Sequence, residues 1–276
     1  MQKKNNLPLV SVIVPFYNEE KHIEQCLQTL KKQTYSKVQL IAVDDGSTDS
    51  SRKIAKKYVD ILLVQKHQGP GVARNKAAKI AKGKILIFAD ADMYFDKNYI
   101  KMLIKPILHK KAVATFTNEE YLANYDNTWV KCSNIDNNVE KEFRNKKLGT
   151  SSVARAVEKK FFTKIGGMKP EFGYGDDHLF LDIAYKAISV KKAVCYHYSP
   201  ETLSEVFEQA RWIGRSPSIS KRKYNLFRYS IINSIIISLR KTLAGATIKF
   251  FIYKAVFDFG IICGILFSKK NNNYAK

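Results

Sequence analysis

Between Val10 and Phe88 the chain switches repeatedly between two periodicities, and this alternation narrows the fold more than any other feature. Runs rich in β-branched residues (VSVIVPF, VQLIAV, Ile61 to Val64, and ILIF at Ile85 to Phe88) are separated by helical patterns. The first is a stripe of Ile23, Leu27 and Leu30, the second covers Ile54 to Tyr58, and the third opens near Pro70 and runs through Ala77, Ala78 and Ile80. The alternation predicts an α/β domain with a Rossmann-like, mostly parallel sheet flanked by helices. Each strand is followed by polar or acidic residues. In open α/β sheets ligands sit beyond the carboxyl ends of the strands, so Asn18-Glu19, Asp44-Asp45 and Asp90-Ala91-Asp92 are expected to share one crevice.

The chain from Lys110 to Leu148 is mixed and polar, with one weak strand pattern at Ala112 to Phe116. Order returns after Gly166-Gly167 and the loop ending in Gly173-Tyr174-Gly175. A helix is expected from Asp176 to Ala187, with Leu179, Ile183 and Lys186 at helical spacing and the Asp176-Asp177 pair at its positive N-terminus. A strand from Val190 to Cys195 should precede His197, and a helix should cover Glu201 to Ile213. The tail changes character: Tyr229 to Leu239 and Leu243 to Phe267 are apolar and bracketed by Lys221-Arg222-Lys223, Arg240-Lys241 and Lys269-Lys270. The first stretch falls short of the roughly 20 apolar residues of a bilayer crossing, and Lys249, Lys254 and Asp258 interrupt the second. The favoured reading is an interfacial or re-entrant hairpin held by basic flanks, the other being helices docked on the protein core. The expected organisation is a domain over 1–220, with halves 8–110 and 111–220, followed by a basic, apolar helical tail over 221–276.

A chain of 276 residues with 45% hydrophobic content can bury a substantial core. Its formal charge of +22 attracts polyanions, anionic lipid head groups or phosphorylated ligands, or else reflects a lysine-rich solvated surface. No aromatic-basic or recognition-helix pattern supports nucleic acid as a partner. Cys26, Cys132, Cys195 and Cys263 lie too far apart for a metal clamp or redox pair, which fits a reducing compartment. The polar N-terminus carries no secretory signal, so a cytoplasmic protein, peripheral on or anchored to the membrane, is expected.

Asp90 and Asp92, directly after ILIF, can hold Mg²⁺ or Mn²⁺ while leaving positions for phosphate oxygens, or can form a turn that accepts backbone hydrogen bonds. Gly69-Pro70-Gly71-Val72-Ala73-Arg74-Asn75 opens a helix, either as a diphosphate cradle with Gly71 and a bidentate Arg74 or as an ordinary helix start. Asp44-Asp45-Gly46-Ser47-Thr48-Asp49 suits a turn and cap as well as a ligand loop.

The conjunction and order of VSVIVPFYNE, VDDGSTD, GVARN and FADAD resemble the inverting, GT-A fold, family 2 glycosyltransferases over roughly Val10 to Gly214. The resemblance implies transfer from a nucleotide-diphosphate sugar, UDP-linked by preference, to an acceptor hydroxyl, with Mn²⁺ or Mg²⁺ as cofactor. It places Pro15, Tyr17 and Glu19 on the nucleotide, Asp45 on the base and Arg74 on the diphosphate side. It makes Asp92 the principal metal ligand, Asp90 nearer the ribose and second shell, and His197 a further ligand. Tyr174-Gly175-Asp176-Asp177 is similar to the family's Gly-Glu-Asp motif, which makes Asp177 the base toward the acceptor and puts Asp176 on the acceptor side. Asp176 stands where Glu is usual, and Asp182 where Arg is common. Glu208-Gln209-Ala210-Arg211-Trp212 partly matches the Gln-Gln-x-Arg-Trp signature of processive synthases, so Arg211 and Trp212 are expected to border the acceptor, a glycan or lipid-linked saccharide of the cell envelope. The competing functions are a nucleotidyltransferase and a catalytically silent relative that binds nucleotide sugar or membrane. The first should carry a Gly-rich basic loop after its first strand, where this chain has Tyr17-Asn18-Glu19.

Overall fold

The computed structural model describes residues 7–139, 142–144, 154–170, 187–216, 219 and 225–267. The described residues fall into two compact units. The first holds 7–119, 154–168 and 187–196, and the second holds 120–139, 142–144, 169–170, 197–216, 219 and 225–267.

The first unit is built on a seven-stranded sheet. Its strands are β1 (Val10–Phe16), β2 (Val38–Asp44), β3 (Ile61–Val64), β4 (Ile85–Phe88), β6 (Ala114–Thr117), β8 (Ala156–Glu158) and β9 (Ala187–Val190), in the order β3-β2-β1-β4-β8-β6-β9. β1 pairs in parallel with β2 and β4, β2 with β3, and β6 with β9, whereas β8 runs antiparallel between β4 and β6. The short strand β5 (Met93–Phe95) follows β4. The helices of this unit are α1 (Ile23–Lys31), α2 (Ser51–Ala55), α3 (Pro70–Ile80), α4 (Tyr99–Leu108) and α6 (Lys159–Lys164).

The sheet is covered on both faces, which is why its central strands read as unbroken apolar runs rather than as alternations. All seven residues of β1 are buried. Successive side chains still separate by face: Val10, Val12, Val14 and Phe16 join Leu40, Ala42, Ile85 and Ile87 in one core cluster, while Ile13 joins Ile41, Val43, Leu86 and Phe88 in the other. The first cluster is completed by Ile23, Cys26, Leu27 and Leu30 of α1 and by Ile100, Leu103, Ile104 and Ile107 of α4, and the second by Ala73, Ala77 and Ala78 of α3. Full burial stabilises by roughly 1.5–3 kcal/mol per large apolar side chain, so the central strands anchor the unit and hold their carboxyl ends in place. Pro70 starts α3, where its missing N–H costs no hydrogen bond, and Gly69 before it has φ 93°, a conformation that favours glycine.

One expected strand is divided. Val190 to Cys195 reads as continuous, yet β9 ends at Val190 and β10 (Cys195–His197) starts at Cys195. Lys192 takes φ 65° in the turn between them. The chain thereby leaves the large sheet for a three-stranded one of order β5-β10-β7, in which β7 spans Glu120–Leu122. The expected helix over Asp176 to Ala187 lies outside the described residues up to 186, and Ala187 itself opens β9.

In the second unit α5 (Thr128–Asn137), α7 (Leu203–Arg215), α8 (Asn225–Arg228), α9 (Ile231–Leu243) and α10 (Lys249–Phe267) are described. The hydroxyl of Thr202 accepts from Glu205 N at 3.2 Å, and Glu205 Oε2 accepts from Glu201 N at 2.8 Å, a variant of the capping box that starts α7 two residues later than its apolar pattern suggests. Helices α7 and α10 meet along a seam of small residues. A Cβ on Gly214 would lie 2.3 Å from Ile261 O, one on Gly260 2.8 Å from Phe207 O, and one on Gly264 2.2 Å from Arg211 O, so only hydrogen fits at these positions.

Candidate donor and metal site

The loops beyond β1 and β2 are tied to each other. Asn18, at φ 53°, donates its N–H to Ser47 Oγ at 3.0 Å, and its Oδ1 accepts from Thr48 N at 2.8 Å. Glu19 N donates to Ser51 Oγ at 2.7 Å, and Glu20 N to Asp49 Oδ2 at 3.1 Å. Asp44 caps the second loop, accepting from Ser47 N at 2.7 Å and from Arg52 Nε. Asp45, only 3% exposed, organises the loop after β3: Oδ1 accepts from Gln65 Nε2 at 2.7 Å and Gln68 N at 2.9 Å, and Oδ2 accepts from Gly69 N at 2.8 Å. His67 Nδ1 lies 3.0 Å from the same Oδ2, and its ring stacks on Tyr17 with centroids 3.9 Å apart. Pro15 is buried within β1, and Tyr17 and Glu19 are half-buried after it.

Asp90 and Asp92 follow β4 closely. Asp90 is gripped through both oxygens, Oδ1 by Arg74 Nη2 at 2.7 Å and Oδ2 by Arg155 Nη1 at 2.8 Å. Both arginines are buried, at 7% and 6% exposure. Arg74 comes from α3, one turn after Gly71. Arg155 precedes β8, and its backbone links to both neighbouring strands, accepting from Phe88 N and donating to Thr115 O, each at 2.9 Å. Negative charge accumulates on this edge: burial, and then the charges of Asp92, Asp90 and Glu19, push the Cys26 thiol well up, leaving it a protonated donor to Asp90 O.

A ligand oxygen of Asp90 and one of Asp92 lie within 4.8 Å of each other. His197 is the last residue of β10, one peptide bond after Tyr196 of the first unit. Its Nδ1–H donates to Glu120 Oε1 at 2.8 Å, an oxygen that also takes Arg144 Nε at 3.2 Å. That bond orients the imidazole and leaves Nε2 as its other ring nitrogen, an arrangement also found behind metal-binding histidines. A carboxylate pair of this kind suits Mg²⁺ or Mn²⁺ when water and phosphate oxygens complete the shell.

Arg155, Arg144, Glu120 and His67 were not among the residues singled out from the sequence. No local pattern marks them, since Arg155 lies 65 positions from Asp90 and Glu120 lies 77 from His197. Arg211 and Trp212 sit on α7, with Arg211 paired to Glu208 one turn back and Trp212 half-buried. Asp176 and Asp177 lie outside the described residues.

A mixed, mostly parallel sheet flanked by helices, with a carboxylate pair after a central strand, is the architecture of an α/β protein of the GT-A class. Within that class the chain belongs to glycosyl transferase family 2, whose family model matches residues 11–169. It is 34% identical over 124 residues to glycosyltransferase GlyG of Streptococcus pneumoniae, covering 43% of this chain and 40% of that protein. It is 43% identical over 94 residues to the poly(ribitol-phosphate) beta-glucosyltransferase of Bacillus spizizenii, covering 31% of this chain and 15% of that one. The matches thus span less than half of either relative. Among solved structures, the mannosyltransferase PcManGT from Pyrobaculum calidifontis, in complex with GDP-Man and Mn2+, superposes with TM-score 0.62 at 18% identity, covering 96% of this chain and 89% of that one. Residues 1–349 of TarS from S. aureus, in complex with UDP, give TM-score 0.56 at 18% identity, with 92% and 90% covered. These two show a shared fold.

Proposed function

We propose that the protein is an inverting, metal-dependent glycosyltransferase that moves a sugar from a nucleoside-diphosphate sugar, UDP-linked by preference, to an acceptor hydroxyl. The observation that carries this reading is the approach of Asp90 and Asp92 at the carboxyl end of β4. Asp92 and His197 would hold Mn²⁺ or Mg²⁺, with Asp90 as a shared or outer ligand. Such an ion supplies Lewis-acid offset for the charge of the leaving diphosphate.

The chain's own residues then have distinct parts. Pro15, Tyr17 and Glu19 line the nucleotide pocket, and Gly71 allows close approach at the start of α3. Arg74 faces the diphosphate side while keeping Asp90 in place. Asp45 turns toward the base by exchanging the Gln65 side-chain amide, a donor on a flexible side chain, while the backbone bonds from Gln68 and Gly69 persist. Asp177 removes the acceptor proton on the face opposite the leaving group, and Asp176, Arg211 and Trp212 border the acceptor.

The acceptor is a glycan or lipid-linked saccharide of the cell envelope, a reading supported by the relative acting on poly(ribitol phosphate). The enzyme works from the cytoplasm on an anionic membrane surface, reached through the apolar, basic tail. Helix α10 has the length and composition of a candidate span.

Calorimetry with UDP-sugars and Mn²⁺ tests the donor assignment. The parent protein should bind donor far more tightly with the ion than in chelator, and Asp92→Asn should lose that difference. Equal donor binding and turnover by the variant in Mn²⁺ would remove the metal assignment.

A further inference from the structure

Whether α10 crosses a bilayer can be argued from its packing inside the second unit. Its glycines, Gly260 and Gly264, lie against the backbone of α7 with no space for a side chain. Helix α7 carries Glu205, Glu208, Arg211 and Arg215. A crossing α10 would either draw these four charges into hydrocarbon or give up the seam. On another side, Lys254 and Asp258 are buried at 5% and 1% exposure and paired at 2.8 Å; Lys254 also reaches Asp136 of α5 at 3.3 Å. Ser234 of α9 donates its hydroxyl to Asp258 Oδ2 at 2.5 Å. These groups are satisfied by protein, and detaching α10 would strip Asp136 and Ser234 from the pair and turn two charges toward lipid.

Helix α9 has the opposite design. Its small polar residues Ser234 and Ser238 point inward, while Ile231, Ile232, Ile235, Ile236, Leu239 and Leu243 point outward, from 41% to 89% exposed. An apolar face this continuous marks a contact surface. Arg228 precedes α9, Arg240 lies in its last turn, and the chain as a whole carries +22. A second copy would bring the same positive charge to this face, whereas anionic lipid head groups complement it.

We propose that the protein docks on anionic bilayers from one side, with α9 lying in the interfacial plane on its isoleucine and leucine face, and with α10 remaining packed on α7 instead of crossing. This rests on the membrane reading given above and assigns its mode.

The test uses the full chain with vesicles of 30% phosphatidylglycerol in phosphatidylcholine, compared with pure phosphatidylcholine, and the exposed-face variant Ile235→Asp/Leu239→Asp. Circular dichroism and melting verify that the variant folds. Flotation of the parent on anionic vesicles, its release by alkaline carbonate, and at least a tenfold loss of bound fraction in the variant are expected. A variant that floats like the parent, with both resisting carbonate, would show a crossing α10, overturning the docking mode while leaving membrane association intact. No flotation of the parent would overturn both. A parent that is a stable dimer without vesicles, with a monomeric variant, would assign the face to a second copy and overturn the proposal.

Discussion

At the scale of single residues, the first aspartate of Asp90-Ala91-Asp92 is held by charges from two distant parts of the chain. The buried Arg74 and Arg155 occupy both oxygens of Asp90, so its carboxylate is fixed before any ligand arrives. Glu120 acts one step further out, through the His197 ring. Glu120→Gln should therefore weaken Mn²⁺ binding by about 10–100-fold, measured by calorimetry, with little change in melting temperature. An unchanged affinity would make the Glu120–His197 bond a packing feature. The proposed base gives a separate expectation: Asp177→Asn keeps size and much capping capacity but no basicity, so transfer should fall by about 10²–10⁴-fold at unchanged donor affinity. Asp176→Asn should be milder. A loss of folded protein with normal turnover per folded molecule would instead make Asp177 a helix cap. The acidic pair after ILIF and the histidine after a strand were legible because strand ends are legible. Arg155 and Glu120 were not, because nothing within a few residues of either distinguishes it from a surface charge.

At the scale of elements, the seam between α7 and α10 rests on absent side chains. A methyl on Gly264 would sit 2.2 Å from Arg211 O, so the backbone itself must move to admit it. Gly264→Ala should destabilise the second unit by about 1–3 kcal/mol in denaturant unfolding, as overpacking does, despite alanine's better helix propensity. Leu266→Ala, at an exposed position two residues on, should stay within about 0.5 kcal/mol. If Gly264→Ala is stabilising, the seam is looser than described. The apolar character of the tail could be read residue by residue. That one helix packs through glycines while its neighbour turns isoleucines outward could not, because composition does not say which face meets protein.

At the scale of the whole molecule, the proposed donor site draws on β1, β2, β4, α3 and the residue before β8, which are joined only when the sheet closes. A ligand that bridges them should stabilise the fold by linkage, about 2.7 kcal/mol at a hundredfold excess over its dissociation constant. UDP with Mn²⁺ should raise the melting temperature by several degrees, and UDP in chelator or Mn²⁺ alone should raise it much less. An equal shift from UDP in chelator would argue that the diphosphate binds without a cation. The high positive charge adds a second expectation at this scale: vesicle binding should weaken as salt is raised, without vanishing, since screening removes the charge attraction but leaves the apolar contact.

Periodicity was enough to place the strands and helices from Val10 to Phe88 and to bring three acidic stretches to one edge, because burial on both faces dictates apolar runs locally and parallel order puts strand ends together. The split of Val190 to Cys195 between two sheets could not be read in advance, since both halves have strand-forming composition and only the turn at Lys192 separates them. Nor could the sequence reveal the discontinuous course of the two units, the arginine pair on Asp90, the Glu120–His197 bond, or the buried Lys254–Asp258 pair in a helix apolar enough to resemble a span. Each depends on partners distant in the chain or on which face of an element is covered. Such pairings are settled by the joint packing of the folded chain and leave no local pattern.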